Sequence, residues 1–339
     1  MTYGQMRSAL PGLLLCGVIA LAATFVSEHY GGPQLLYALL IGLAFHFLSR
    51  DPKISVGLDF CSKTVLRAGV ALLGLRITLA QVSALGWRTA LLVTLGVAST
   101  ITLGLLLARW YKRPVAEGLL SGCAVGICGA SAALAVSSVL PQTRENERFT
   151  LLAVVGVTLM STLAMVLYPL MAGAIGLSAG QAGIFFGATI HDVAQVVAAG
   201  MMLSDSGNTA AADSATVVKL FRIMLLMPVV VLLSLALRTR RGGDATSASD
   251  KPPAPALLPG FLLAFIAFML LATFSLVPAA LAQSAGAASR ALLVLAIAAA
   301  GVKTSFEDLL KLGWTPVLML LAESVWIAAF AASGLLLMP

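Results

Sequence analysis

The chain has 339 residues, 60% of them hydrophobic and 10% charged, with a mean hydropathy of +1.00 and a formal net charge of +7. A soluble globular domain carries about 25% charged residues, so the composition excludes one and indicates a polytopic membrane protein. The positive balance reads as loop charge that orients helices in a bilayer, not as a nucleic-acid surface, because no stretch interleaves basic residues with aromatics.

About 20 apolar residues cross a bilayer as a helix. Eleven such spans are predicted, at roughly 9–26, 33–49, 64–80, 89–108, 115–140, 149–171, 178–203, 214–237, 257–277, 286–302 and 314–337. Arg7 ahead of the first run resembles a signal-peptide start, but the run is long and about ten more follow, so a retained first helix is expected. Cys16, Cys61, Cys123 and Cys128 make no CxxC or Cys/His zinc spacing, so free thiols and no metal are expected. Arg67 lies toward the start of the third run and reads as a snorkelling side chain.

The fifth span is interrupted. Ser121-Gly122-Cys123-Ala124-Val125-Gly126-Ile127-Cys128-Gly129-Ala130-Ser131 packs glycines and small polar groups together, and each Gly costs roughly 1 kcal/mol of helix stability against Ala. One reading is a helix broken at mid-membrane, its second half starting near Ala130-Ser131 with free N–H groups aimed at an anion. The other is close helix packing through small residues. The seventh span holds Gly187-Ala188-Thr189-Ile190-His191-Asp192-Val193-Ala194-Gln195. Polar side chains at that depth mark a functional site by default. On one continuous helix His191 and Gln195 share a face, whereas His191 and Asp192 point about 100° apart and cannot pair. In the eighth span Lys219 and Arg222, three apart, are either snorkelling residues or counter-charges for Asp192 or an anion. Glu323 in the last span is either a proton site or a packing site.

With the N-terminus placed in the cytoplasm, most Lys and Arg fall on cytoplasmic loops, which predicts N-terminus in and C-terminus out. The segment Thr239–Pro255 is rich in Gly, Ser and Pro and reads as a flexible loop. It sets residues 1–238 apart from 257–339, joined by a loop at 239–256, within one integral membrane domain. Gly74-Leu75-Arg76 and Leu85-Gly86-Trp87 recur as Gly301-Val302-Lys303 and Leu312-Gly313-Trp314, 227 residues on. The charge count orients the two copies oppositely, which predicts the inverted repeat of a secondary transporter.

The stretches Ile127–Ser131, Gly187–Gly200, Lys219–Pro228 and Leu66–Arg76 resemble the YeiH-type membrane proteins, a family named for sulfate export, over nearly the whole chain. The resemblance implies a multi-pass protein of the bacterial inner membrane, related to the bile-acid symporter and sodium/proton antiporter fold group with its broken helices. Asp192 departs from the glutamate associated with the family motif. Two same-sense interrupted spans also fit that fold group poorly, which leaves a miscounted span, a re-entrant segment or a permuted repeat open. The expectation is an all-α transporter of a small anion, not an enzyme, with no cofactor; the alternatives are a channel or non-transporting membrane sensor or, less favoured, an intramembrane enzyme using Cys128 or Ser131 with His191. Cys128, Gly129, Ala130, Ser131, Thr189 and Gln195 would bind the anion through neutral groups, with Lys219 or Arg222 supplying charge. His191 and Asp192 would couple transport to a proton, since imidazole titrates near neutral pH. The bilayer is the expected surrounding, nucleic acid is not a partner, and a homo-oligomer stays open.

Overall fold

The computed structural model describes residues 3–30, 34–141, 143–203, 209–240, 260–304 and 314–337. Among these every regular element is a helix. The loop at 204–208, most of the linker (241–259) and the second Leu-Gly pair at 312–313 lie outside the described residues.

In chain order the helices are α1 (Tyr3–Tyr30), α2 (Gln34–Ala44), α3 (Pro52–Phe60), α4 (Leu66–Leu73), α5 (Leu79–Ala84), α6 (Gly86–Trp110), α7 (Val115–Cys123), α8 (Ala130–Ser137) and α9 (Arg144–Ala174). Then follow α10 (Ala179–Thr189), α11 (Val193–Met202), α12 (Ala210–Met224), α13 (Leu226–Arg240), α14 (Gly260–Thr273), α15 (Ala279–Lys303) and α16 (Trp314–Leu337). Among the described residues six stretches are long and apolar enough to cross a membrane: Ser8–Tyr30, Gly86–Trp110, Arg144–Ala174, Ala210–Ala236, Ala280–Lys303 and Trp314–Leu337.

Local chemistry sets several helix starts. Asp51 accepts the Lys53 N–H ahead of Pro52 at the start of α3. Thr143 caps α9, whose first turn carries Glu145 and Glu147. Ser178 and Gln181 form a reciprocal capping box on α10.

The fifth and seventh predicted spans do not cross as interrupted helices. Each folds back on itself. Gly183 and Gly187 of α10 pack against Ala211 and Ala215 of α12, so those helices run parallel. Gly200, near the end of α11, returns to Ala212. Therefore α10 and α11 form a hairpin whose two ends lie at one face. Helix α7 runs antiparallel to α6, with Gly118 against Gly104 and Gly122 against Ile101. Helix α8 runs antiparallel to α9, with Gly129 at Val157 and Ser137 hydrogen-bonded to Thr150. Leu85, just before α6, shares a pocket with Gly180 and Gln181 of α10. That places the open end of the α7–α8 hairpin at the face opposite to that of α10–α11. Hydropathy cannot distinguish a hairpin of two half-length helices from one crossing, which is why both were expected to span.

The helices fall into two groups. One comprises α1, α2, α3–α4, α14 and α15; the other holds α6, α9, α12, α16 and both hairpins. The spatial division thus cuts across the chain division at residue 238. Helix α11 touches α2 and α15 across the gap. Helices α14, α15 and α16 begin at 260, 279 and 314, against 34, 52 and 86 for α2, α3 and α6. The α3–α4 segment and α15 run antiparallel, with Asp59 at Lys303 and Gly69 at Ser289. So do α6 and α16, with Ser99 at Trp326 and Leu92 at Gly334.

Candidate functional site

The hairpin tips meet at the centre of the second group. In the first hairpin the helical backbone continues from α7 to Cys128, and Gly129 turns it at φ +65°, ψ −127°. That region is essentially closed to residues with a Cβ. Helix α8 then starts at Ala130, as expected from sequence. In the second hairpin α10 ends at Thr189, Ile190 and Asp192 are extended, and Asp192 caps α11 by accepting the Ala194 N–H at 2.8 Å. The helical-face assignment of His191, Asp192 and Gln195 is therefore corrected: the first two stand in a non-helical link, and only Gln195 is helical. A Cβ on Gly129 would lie 3.4 Å from that of His191, so the two tips are in contact.

Four helix ends converge here, and each pair has its own partners. The C-terminal ends of α7 and α10 point unpaired carbonyls at α12. Lys219 Nζ donates to Ile127 O and Ile190 O, both at 2.9 Å. Arg222 donates to Gly126 O at 2.6 Å, Ile190 O at 3.0 Å and Gly187 O at 3.4 Å, and also to Val125 O. Both side chains are fully buried. The pair expected to face Asp192 or an anion instead neutralises the negative ends of two helix dipoles.

The N-terminal ends of α8 and α11 face one cavity of about 720 Å³ between the two helix groups. Its inner wall holds Cys128, Ala130 and Ser131 from the first hairpin and Asp192, Val193, Ala194 and Gln195 from the second. Its outer end holds Ser62, Lys63, Arg67, Lys303 and Thr304. Arg67 sits 6.0 Å from the Phe261 ring and lines the cavity, where sequence favoured a snorkelling role. Asp59 pairs with both Lys303 and Lys63 at this rim. Partial burial pushes its carboxyl pKa up, but the two ammonium groups outweigh that and hold it below the usual carboxylate value.

Helix α9 fixes the second tip. Ser161 Oγ accepts the Asp192 N–H at 2.9 Å, and Gln195 Nε2 donates to Thr162 Oγ1 at 2.8 Å. Gln195 Oε1 has no partner. His191 is 1% exposed and its Nε2 lies 3.2 Å from Ser324 Oγ. Ser324 gives its own proton to Leu320 O, so the Nε2–H donates and Nδ1 stays unpartnered. Thr189 bonds Phe185 O within its helix, outside the cavity. Sequence reasoning missed Ser161, Thr162 and Ser324, which resemble ordinary helix hydroxyls. It also passed over Lys63 and Lys303 as site residues, because loop basic residues were assigned to orientation. Among the described residues no group of three His, Cys, Asp or Glu side chains is placed to hold a metal ion.

A second cavity of about 400 Å³ lies at the opposite face, lined by Gly180, Gln181, Asp213, Ser214 and Val217 among others. Along α12, Val217 faces this cavity and Ile223 the larger one. Those residues are about 9 Å apart along the axis, and Lys219 and Arg222 lie between them as the barrier.

A family model described as conserved hypothetical protein 698 matches residues 11–320. The UPF0324 membrane protein CT0845 of Chlorobaculum tepidum is 45% identical, over 99% of this chain and 94% of its own. The UPF0324 membrane protein TauZ of Paracoccus denitrificans is also 45% identical, over 98% and 96%. A UPF0324 membrane protein of Listeria monocytogenes is 31% identical, over 90% and 87%. No solved structure matches.

Proposed function

The chain belongs to the family of conserved hypothetical protein 698, the UPF0324 membrane proteins, and from its site we propose that it is a secondary transporter of a small anion. The observation that carries this reading is the pairing of two half-helix N-termini on one cavity with a basic outer rim. Free N–H groups and the positive dipole end make each such terminus an anion site. Lys63, Arg67 and Lys303 raise the local anion concentration at the mouth. Ser131 and Cys128 supply neutral contacts beside them.

The opposed hairpins and the antiparallel helix pairs support an inverted repeat whose second copy is permuted in the chain, with the hairpin and α12–α13 preceding α14–α16. Alternating access then moves one helix group against the other around the hairpin tips, the larger cavity opening to the cytoplasm in the conformation seen. The loop charges support a cytoplasmic N-terminus, and the likeness to bacterial membrane proteins supports placement in the inner membrane. Asp192 occupies the α11 N-terminus, so a divalent anion docks there best when that carboxylate is protonated. This links a proton to the solute, with His191 beside it as a second titrating group. Against an enzymatic role, Asp192 bonds the α11 backbone and His191 Nε2 bonds Ser324, so the carboxylate does not orient the imidazole as a base.

The test is flux in liposomes. Radiolabelled sulfate, sulfite, sulfonates or carboxylates are loaded and a pH gradient is imposed in either polarity. Saturable movement of one of them supports the reading. Folded protein that moves none of them under either polarity sinks it.

A further inference from the structure

Neither cavity is lined by the most deeply sealed carboxyl group of the bundle. Glu323 of α16 is 0% exposed. Its Oε1 accepts the Ser121 Oγ proton at 2.7 Å. Its Oε2 is buried with no hydrogen-bond partner. The groups that face it are Ser121 and Cys123 from α7, the Gly104 backbone from α6, and His191 one residue further, through Ser324. No ion pair among the described residues includes it.

An ionised carboxylate at this depth has one hydroxyl donor and no cation to offset its desolvation, which is a costly arrangement. A packing role alone is served better by Gln or Leu. The position also has leverage. Glu323 bonds the first hairpin through Ser121, while the adjacent Ser324 bonds the tip of the second through His191. One turn of α16 therefore touches both hairpins.

We propose that Glu323 is a further proton-binding site, beyond His191 and Asp192, and that its proton is released to water only when the first hairpin shifts against α16 inside the second group and opens the Ser121–Glu323 contact. The step is a plain ionisation: the carboxyl O–H breaks, the electron pair stays on Oε2, and water takes the proton. Its role in coupling rests on the transporter reading; its protonation does not.

The test separates the two. Infrared difference spectra are recorded on pH steps for the full chain in lipid. A protonated-carboxyl stretch that vanishes at high pH is expected in the wild type and is expected to be missing in Glu323→Gln. Ser121→Ala removes the donor to Oε1 and is expected to move that band to higher frequency. It also keeps the assignment testable if the Gln variant does not fold. In liposomes Glu323→Gln is expected to lose pH-driven accumulation of the anion while retaining anion counterflow. A band that persists in Glu323→Gln, or is unmoved in Ser121→Ala, overturns the site. Accumulation in Glu323→Gln that still follows the imposed gradient overturns its part in coupling. A wild type that moves no anion refutes transport, and the spectra still decide Glu323.

Discussion

Lys219→Met is the substitution whose cost the structure best defines. Met nearly matches the volume of Lys but carries no donor. It removes two bonds from a charged ammonium, to Ile127 O and Ile190 O. Hydrogen bonds to charged groups contribute about 1.5–3 kcal/mol each. Ile190 O keeps its bond from Arg222, so only Ile127 O is left stranded, at about 1–3 kcal/mol. The substitution also relieves the desolvation of a buried ammonium, and replacing buried charges with apolar groups is often close to neutral. Against that, two helix C-termini, each near −0.5 charge, then face each other with Arg222 as the remaining cation. The balance predicts a net loss of about 2–4 kcal/mol.

The assay is thermal unfolding of purified protein, followed by tryptophan fluorescence. Lys219→Ala adds a second arm, because it leaves room for a small cation. Methylammonium is expected to raise the melting temperature of Lys219→Ala and to leave the wild type and Lys219→Met unmoved. A Lys219→Met protein as stable as the wild type, or a Lys219→Ala protein indifferent to methylammonium, refutes the reasoning that Lys219 neutralises the carbonyl ends.

Gly129→Ala forces a Cβ into a backbone region reserved for glycine and is expected to cost about 1–3 kcal/mol and to abolish flux; unchanged stability and flux would remove the tip-turn argument. Cysteines placed singly at Ser178 and Leu203, at the two ends of the α10–α11 hairpin, are expected to react with an impermeant thiol reagent from the same face of sealed vesicles. Labelling from opposite faces would restore a crossing helix. Arg67→Gln is expected to raise KM for the anion more than it lowers kcat, as removal of a ground-state attraction does, and to weaken the salt dependence of uptake; an unchanged KM contradicts a role at the cavity mouth. Asp59 has a depressed carboxyl pKa, so its contribution is present above the unfolded value and lost only as pH falls through the folded one. Flux between about pH 5 and 8 is therefore expected to keep its pH profile in Asp59→Asn, and a shifted profile would place Asp59 in the titration.

Helix content and the glycine break at Cys128–Ala130 were legible because composition and backbone permissiveness are local properties. The reversal of both interrupted segments was not. Whether α11 continues away from α10 or returns beside it depends on Gly183 and Gly200 meeting the same turn of α12, and no periodicity encodes that. Lys219 and Arg222 were legible as cations set well inside a span and in need of partners. Their partners were out of reach, because a carbonyl freed by a chain break leaves no mark on its own side chain. The faces assigned to His191 and Asp192 went wrong for the same reason: the 100° rule presumes a helix, and the cap at Asp192 ends one.

The charge balance at the tips connects these pieces to the solute. Two helix C-termini and two N-termini meet, so their dipoles cancel in sum though not in place. The formal charges that remain are Lys219, Arg222 and Asp192, all held by the hairpins or α12. With Asp192 ionised the cluster carries one net positive charge. With Asp192 protonated it carries two. The cations are bound on the carbonyl side, and the uncompensated field emerges where α8 and α11 present their N–H groups to the cavity. A monovalent anion thus matches the ionised carboxylate and a divalent one the protonated carboxylate. Measured with one anion on either side of its own second ionisation, flux should follow the dianion only at pH values where Asp192 is protonated, and in Asp192→Asn the dianion should be accepted at every pH. Loss of dianion flux in Asp192→Asn, with monoanion flux intact, would show that the carboxylate is needed for something other than its charge.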